Sequence, residues 1–172
     1  PPPRAPPLSR PGRHPLMPPS LHIRVSLADQ ALHLCLGDEL LRRYPVSTSS
    51  RGPGTEEGSY KTPLGSFRIR EKIGDGEPHH TIFSARLPVG IWDPATPSHE
   101  DLILTRILRL EGLDPDNLNT YQRYIYIHGT NHLNLLGSPA SHGCIRMSSE
   151  DVLDLYQRTP TGTPLTITEL PL

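Results

Sequence analysis

Cysteine is scarce in this sequence. Only Cys35 and Cys144 occur in 172 residues, too few for a disulfide framework. A bridge between the two is conceivable in an oxidising compartment, but it would silence any chemistry at Cys144, and Cys35 reads as a residue packed in a strand. An excess of charge of one sign is also missing. Lys and Arg number 17 against 18 Asp and Glu, for a net charge of −1, so there is no electrostatic footprint for a nucleic-acid partner. No apolar run is long enough to span a bilayer as a helix. Hydrophobic residues make up 34% of the chain, a modest share, and there is one tryptophan. Proline, by contrast, is plentiful at 21 residues, seven of them within the first fifteen. Residues 1–20 therefore read as a proline-rich tail or linker, extended and partly polyproline. Residues 21–172 hold an ordinary globular composition, enough for one domain. The chain opens on Pro1 rather than Met, which reads as a processed or cloned fragment from which a signal peptide would already be gone.

From Leu21 the apolar residues recur every second position. Leu21, Ile23, Val25 and Leu27 alternate with polar residues, as do Leu32, Leu34 and Leu36, with turn residues between. With a third strand over residues 39–47, this predicts a β-meander. His22 and His33 fall on its solvent side. Residues 47–60, rich in Ser, Gly and Thr, read as a loop. Strands are expected at Phe67–Ile69, at Thr81–Phe83 within a long segment that could cover a cleft, and over residues 102–110. Arg106 interrupts the apolar face of that last strand and calls for an anion, an ion-pair carboxylate by preference. His79 and His80, adjacent in a strand, would point to opposite faces and not chelate together. Near the end, Ser148-Ser149-Glu150-Asp151 has the form of a capping box, and a helix is expected over residues 150–158, burying Val152, Leu153, Leu155 and Tyr156. Pro160 and Gly162 stop it before a last strand at Leu165–Thr168. The expected fold is mostly β, a mixed sheet or barrel with one helix.

The chemistry concentrates in two stretches. Tyr124-Ile125-Tyr126-Ile127-His128-Gly129-Thr130 reads as a strand delivering a histidine to a turn. Ser141-His142-Gly143-Cys144-Ile145-Arg146-Met147 places a cysteine in a Gly/Ser-rich turn, where a merely structural cysteine does not usually sit. A thiol needs a neighbouring base before it is a nucleophile, and the imidazole that takes its proton can return it to a leaving group. Cys144 is the candidate nucleophile and His128 its base. Gly143 lets a substrate approach the backbone, where the Cys144 N–H and its neighbours would face a developing oxyanion. Arg146 has the planar fork that clamps a carboxylate. Zinc is the competing reading, since His128, His132, His142 and Cys144 are all zinc-ligand types. But His-Gly-Thr-Asn-His lacks the glutamate of the metalloprotease helix, and Gly129 and Asn131 disfavour a helix there. The thiol reading needs no metal and no cofactor.

These two stretches resemble the L,D-transpeptidase catalytic domain (YkuD family) of bacterial cell-wall enzymes. That family pairs a histidine with a later Ser/Thr-His-Gly-Cys followed by an apolar residue and Asn or Arg. The segment Thr62-Pro63-Leu64-Gly65-Ser66-Phe67 is similar to its Thr-Pro-x-Gly-x-Phe signature. The resemblance runs from Leu21 to the C-terminus. It implies an L,D-transpeptidase-like β-sandwich or barrel with one helix after the nucleophile. It also implies Cys144 as nucleophile, His128 as base and acid, and the backbone carbonyl of Gly129 as the group that orients His128. His142 would line the site, while Ser141, Gly143 and Arg146 would shape the oxyanion pocket and hold substrate. The implied activity is transfer of an acyl group from a peptidoglycan stem peptide, through a thioester, to an amine of a second stem or of a wall-anchored protein, in the periplasm or another extracytoplasmic space. Hydrolysis on the same scaffold (an L,D-carboxypeptidase or endopeptidase) and a non-catalytic wall-binding or zinc-binding module remain the alternatives.

Overall fold

The computed structural model describes residues 17–172. The proline-rich tail expected over residues 1–20 lies outside them, except for Met17–Ser20, which is exposed and without regular structure. The meander forms as the alternation requires: β1 (Leu21–Ser26), β2 (Ala31–Leu36) and β3 (Glu39–Pro45) pair antiparallel in sequence order. β1 also pairs in parallel with the last strand, β10 (Pro164–Thr168), so the two ends of the domain lie side by side. From β10 the sheet continues antiparallel through β4 (Gly65–Ile73) to β7 (Ile103–Gly112).

β7 is the branch point. One edge is shared between β5 (Thr81–Ser84), near its start, and β4 further along; the other edge carries β8 (Tyr126–Gly129). β5 closes a hairpin with β6 (Leu87–Ile91), and β8 pairs in parallel with β9 (Ile145–Met147). The architecture is a mostly-β mixed sheet with a single α-helix, as the sequence predicts. β6 was not anticipated: its Leu-Pro-Val-Gly-Ile run is exposed throughout and lacks alternation. Nor was the 3₁₀ turn Leu133–Leu135.

Helix α1 (Ser149–Arg158) starts one residue earlier than expected. Ser148 is the N-cap, and its hydroxyl accepts the Asp151 N–H at 3.1 Å. Val152, Leu155 and Tyr156 face inward and join one core with Ile23, Leu34, Phe67, Leu110, Ile127 and Ile145; Leu153 is only half-buried. Each such fully buried aliphatic side chain contributes about 1.5–3 kcal/mol. Tyr44 of β3 ties the helix to the meander, donating to Asp154 at 2.6 Å. Among the described residues no helix is long and apolar enough to cross a membrane.

Two local expectations fail, for one reason. β7 carries a bulge between Leu104 and Ile107, where Thr105 sits at φ +72°, a value that β-branched residues rarely adopt. The bulge takes Arg106 out of the alternation. Among the described residues its guanidinium has no carboxylate partner; it donates to the Thr105 carbonyl at 2.5 Å and lies 5.5 Å from the centre of the Tyr156 ring. The bulge also receives the backbone of His80, whose N–H reaches Thr105 Oγ1 at 3.2 Å. His79 and His80 occupy a turn, not a strand, with His80 at φ +65°. Their rings lie on the same side, 4.2 Å apart, and not on opposite faces.

Candidate active site

β8 and β9 lie in parallel register, with His128 opposite Arg146. Cys144 immediately precedes β9, so the fold brings the ends of the two sequence stretches together. The turn that delivers Cys144 is held by one hydroxyl. Ser141 Oγ donates to the Cys144 carbonyl at 2.6 Å and accepts the Gly143 N–H at 3.2 Å. Gly143 has φ +123°, and a Cβ there would lie 3.2 Å from the Lys61 carbonyl, so the turn requires glycine. The Gly143 N–H is thus engaged within the turn.

His128 is buried at the end of β8, and its Nδ1 lies 2.7 Å from the Gly129 carbonyl. A carbonyl only accepts, so Nδ1 carries the proton and Nε2 offers a lone pair. Burial lowers the His128 pKa; the Gly129 carbonyl and Asp101 oppose that, and Arg146 adds to it. Burial pushes the Cys144 thiol up to about 11, with Asp101 acting in the same direction and the Tyr126 N–H, Arg146 and Arg123 acting against it. The resting pair is therefore neutral thiol and neutral imidazole. The sulfur accepts the Tyr126 N–H and donates to the Tyr124 carbonyl, each at 3.4 Å, and forms no hydrogen bond with His128. Cys35 is buried in β2, and both cysteines are free thiols.

Arg146 does not stand in the cleft as an open clamp. It is 2% exposed, held between β8 and the bridge to Ser47, and it pairs with Asp101 at 2.6 Å, leaving Nε and Nη1 without a partner among the described residues. His142 is exposed, 3.5 Å from the same carboxylate through Nδ1, with its ring edge-on to Tyr60. Asp101 was not visible in the sequence. It lies in a loop 43 residues before Cys144, and no local pattern marks it. A cleft of about 290 Å³ opens beside the thiol, lined by Tyr60, Arg123, Tyr124, Ile125 and His142 among others. The β5–β6 hairpin reaches over this region: Arg86 at its tip donates to the Tyr126 hydroxyl at 3.3 Å and lies over the Tyr124 ring.

Residues 47–60 are a loop, as expected, but its first three residues, Ser47, Thr48 and Ser49, form a buried polar wall. Ser47 bridges Arg146, and Ser49 bridges Ser141. Thr62, from the Thr-Pro-x-Gly-x-Phe stretch, locks this wall to the nucleophile turn. Its hydroxyl donates to the Gly143 carbonyl at 2.9 Å and accepts the Ser49 N–H at 3.0 Å. The sequence marked Thr62 only through that signature and gave no sign that its hydroxyl fastens Gly143. The four residues considered for zinc do not gather around a common point; the one such cluster among the described residues lies elsewhere.

The model of the L,D-transpeptidase catalytic domain (YkuD) matches residues 20–167 of this chain. A putative L,D-transpeptidase YkuD of Bacillus subtilis is 27% identical over 146 residues, covering 85% of this chain and 65% of that protein. The probable L,D-transpeptidase YbiS of Escherichia coli K12 is 38% identical over 63 residues, 34% of this chain and 21% of that protein. Among solved structures, an L,D-transpeptidase from Mycobacterium smegmatis superimposes with a TM-score of 0.57 at 18% identity, covering 87% of this chain and 59% of that one. One from Xylanimonas cellulosilytica gives 0.57 at 19% identity, covering 90% and 63%. The chain thus spans less than two thirds of the length of each of these relatives.

Proposed function

We propose, for a chain that belongs to the L,D-transpeptidase catalytic-domain family, a cysteine-dependent acyl transfer on peptidoglycan stem peptides at the extracytoplasmic cell wall. One observation carries the reading: the Nδ1 contact to Gly129 leaves Nε2 of a buried, neutral His128 as a base on the strand beside Cys144. Sγ attacks the carbonyl of the third stem residue as its proton passes to His128 Nε2. The resulting oxyanion faces the Cys144 N–H. The C–N bond to the terminal D-residue breaks, and His128 returns the proton to the departing amine. An acceptor amine, from a second stem or a wall-anchored protein, then attacks the thioester carbonyl. Its proton goes to His128 and on to the released thiolate, closing the cycle.

At rest the thiol proton points to the Tyr124 carbonyl, so donor binding must turn Sγ toward Nε2. Hydrogen bonds of this kind are commonly loose before substrate arrives. Asp101 and Arg146 set the field behind the imidazole, and His142 lines the mouth of the cleft.

The test is intact-protein mass after incubation with a carbapenem; one structural relative has been solved in complex with imipenem. A single drug-sized adduct, absent in Cys144→Ala, is expected. A stem tetrapeptide with and without an added amine then separates transfer from hydrolysis. No adduct and no turnover with a titratable Cys144 would overturn the reading.

A further inference from the structure

The fold gathers three potential metal ligands away from the thiol. His79 and His80 come from the turn before β5, and Glu150 from the first turn of α1. One ligand atom from each lies within 4.8 Å of the others. His79 Nε2 and Glu150 Oε1 are already 3.4 Å apart. Two ligands on a tetrahedral zinc ion at about 2.05 Å stand about 3.3 Å apart, so this pair already has the spacing of two bound ligands. The third ligand atom lies within 4.8 Å of both.

The backbone supports the same conclusion. Adjacent histidines in a strand cannot share an ion, but the positive φ of His80 puts both rings on one side. His80 is then held from two directions. Its N–H is fixed by Thr105 Oγ1, which itself donates to Ser149 Oγ at 2.6 Å, and its ring packs edge-on against Trp92 at 5.0 Å. Thr105 thereby links the histidine turn to the start of α1, where Glu150 sits. Glu150 supplies the negative charge that a cation needs beside a helix N-terminus, which on its own favours anions.

We propose that His79, His80 and Glu150 form a site for a divalent transition-metal ion of the zinc class, with water completing the coordination. Two imidazoles and one carboxylate suit zinc better than calcium or magnesium, which prefer all-oxygen shells. The ion would fasten the segment leading into the β5–β6 hairpin to α1. This inference is independent of the acyl-transfer reading, because none of its ligands takes part in that chemistry.

The experiment titrates the full chain with Co²⁺ and with Zn²⁺ in a Cys144→Ser background, which removes the reactive thiol as a ligand. Visible absorption and calorimetry report the stoichiometry. One equivalent should bind, and Zn²⁺ should raise the melting temperature. His80→Ala and Glu150→Gln should each weaken binding by at least about tenfold and abolish the thermal shift, with circular dichroism unchanged. His132→Ala should bind like its parent. His79→Gln provides a further ligand variant of similar size. The proposal is overturned if no saturable binding appears up to about 1 mM metal, which would leave a bare His79–Glu150 ion pair. It is equally overturned if binding survives both ligand variants or is lost in His132→Ala.

Discussion

A resting thiol at about 11 makes a quantitative prediction for Cys144. Alkylation by iodoacetamide follows the thiolate fraction, which at pH 7 is then about one part in ten thousand. A thiol at the ordinary value of 9.0 would hold about one part in a hundred. Cys144 should therefore alkylate about 100-fold more slowly than an unperturbed cysteine at pH 7, with the rate still rising past pH 10. The same shift predicts a dependence of stability on pH. The folded protein holds the Cys144 proton more tightly than the unfolded chain, so the associated stability is fully present below about pH 9 and is lost as pH rises toward 11. Two units correspond to about 3 kcal/mol at most. Urea unfolding at pH 8, 9, 10 and 11 measures this, with Cys144→Ser as the flatter comparison. Burial also pushes Cys35 up, so both proteins keep that contribution and only the difference between them is read. An alkylation rate that reaches its plateau below pH 8 would refute the reasoning, because it would mean a preformed thiolate–imidazolium pair. Parallel stability curves for the two proteins between pH 9 and 11 would refute it too.

Three further perturbations test the surrounding structure. His128→Ala should slow carbapenem acylation by about 10²–10⁴-fold, the usual range for a general base, as followed by mass spectrometry at pH 7; an unchanged rate would remove His128 from the chemistry. Asp101→Asn leaves the buried Arg146 without its carboxylate and should lower stability by about 2–3 kcal/mol, below the full cost of breaking a buried pair because Asp101 is partly exposed. The same variant should move the alkaline rise of Cys144 alkylation to lower pH, since Asp101 holds the thiol up. Thr62→Val removes the donor to the Gly143 carbonyl and the acceptor of the Ser49 N–H, and should lower stability by about 2 kcal/mol in urea unfolding while slowing acylation through a looser nucleophile turn.

The sequence carried the parts of this fold that rest on periodicity and on local caps. The alternation of Ile23, Val25, Leu32 and Leu34 placed β1 and β2, and Ser148 with Asp151 placed the start of α1. It failed where tertiary contacts override local pattern. β7 reads as an apolar strand interrupted by Arg106, yet the local pattern calls for an anion there, where the fold instead makes a bulge at Thr105 that turns Arg106 out of register. Residues 47–60 have the composition of a solvent loop. Yet Ser47, Thr48 and Ser49 within them are buried, because Ser47 and Ser49 pair with Arg146 and Ser141, far along the chain. The candidate site divides in the same way. Cys144 and His128 stand out through their own motifs. Asp101 is meaningful only once the fold sets it against Arg146 and His142.

The same burial that makes Cys144 unreactive at rest also bears on how the site would choose substrates. Separating charge between a half-buried thiol and a buried imidazole is costly in the empty cleft, and desolvation outweighs the favourable influence of Arg146, Arg123 and the Tyr126 N–H on the sulfur. An acyl donor changes the balance. Its carbonyl takes up the negative charge as the C–S bond forms, so charge develops on an oxyanion beside the Cys144 N–H and does not remain on sulfur. The imidazolium then forms opposite a charge that the site can accommodate. Nucleophilicity would thus be expressed only in the presence of a donor that fits between Tyr60, Tyr124 and the β5–β6 hairpin. Small alkylating reagents, which offer no oxyanion, should gain little from His128. His128→Ala should accordingly reduce acylation far more than it reduces alkylation measured at the same pH. Equal losses in the two reactions would mean that His128 acts by ionising the thiol in advance.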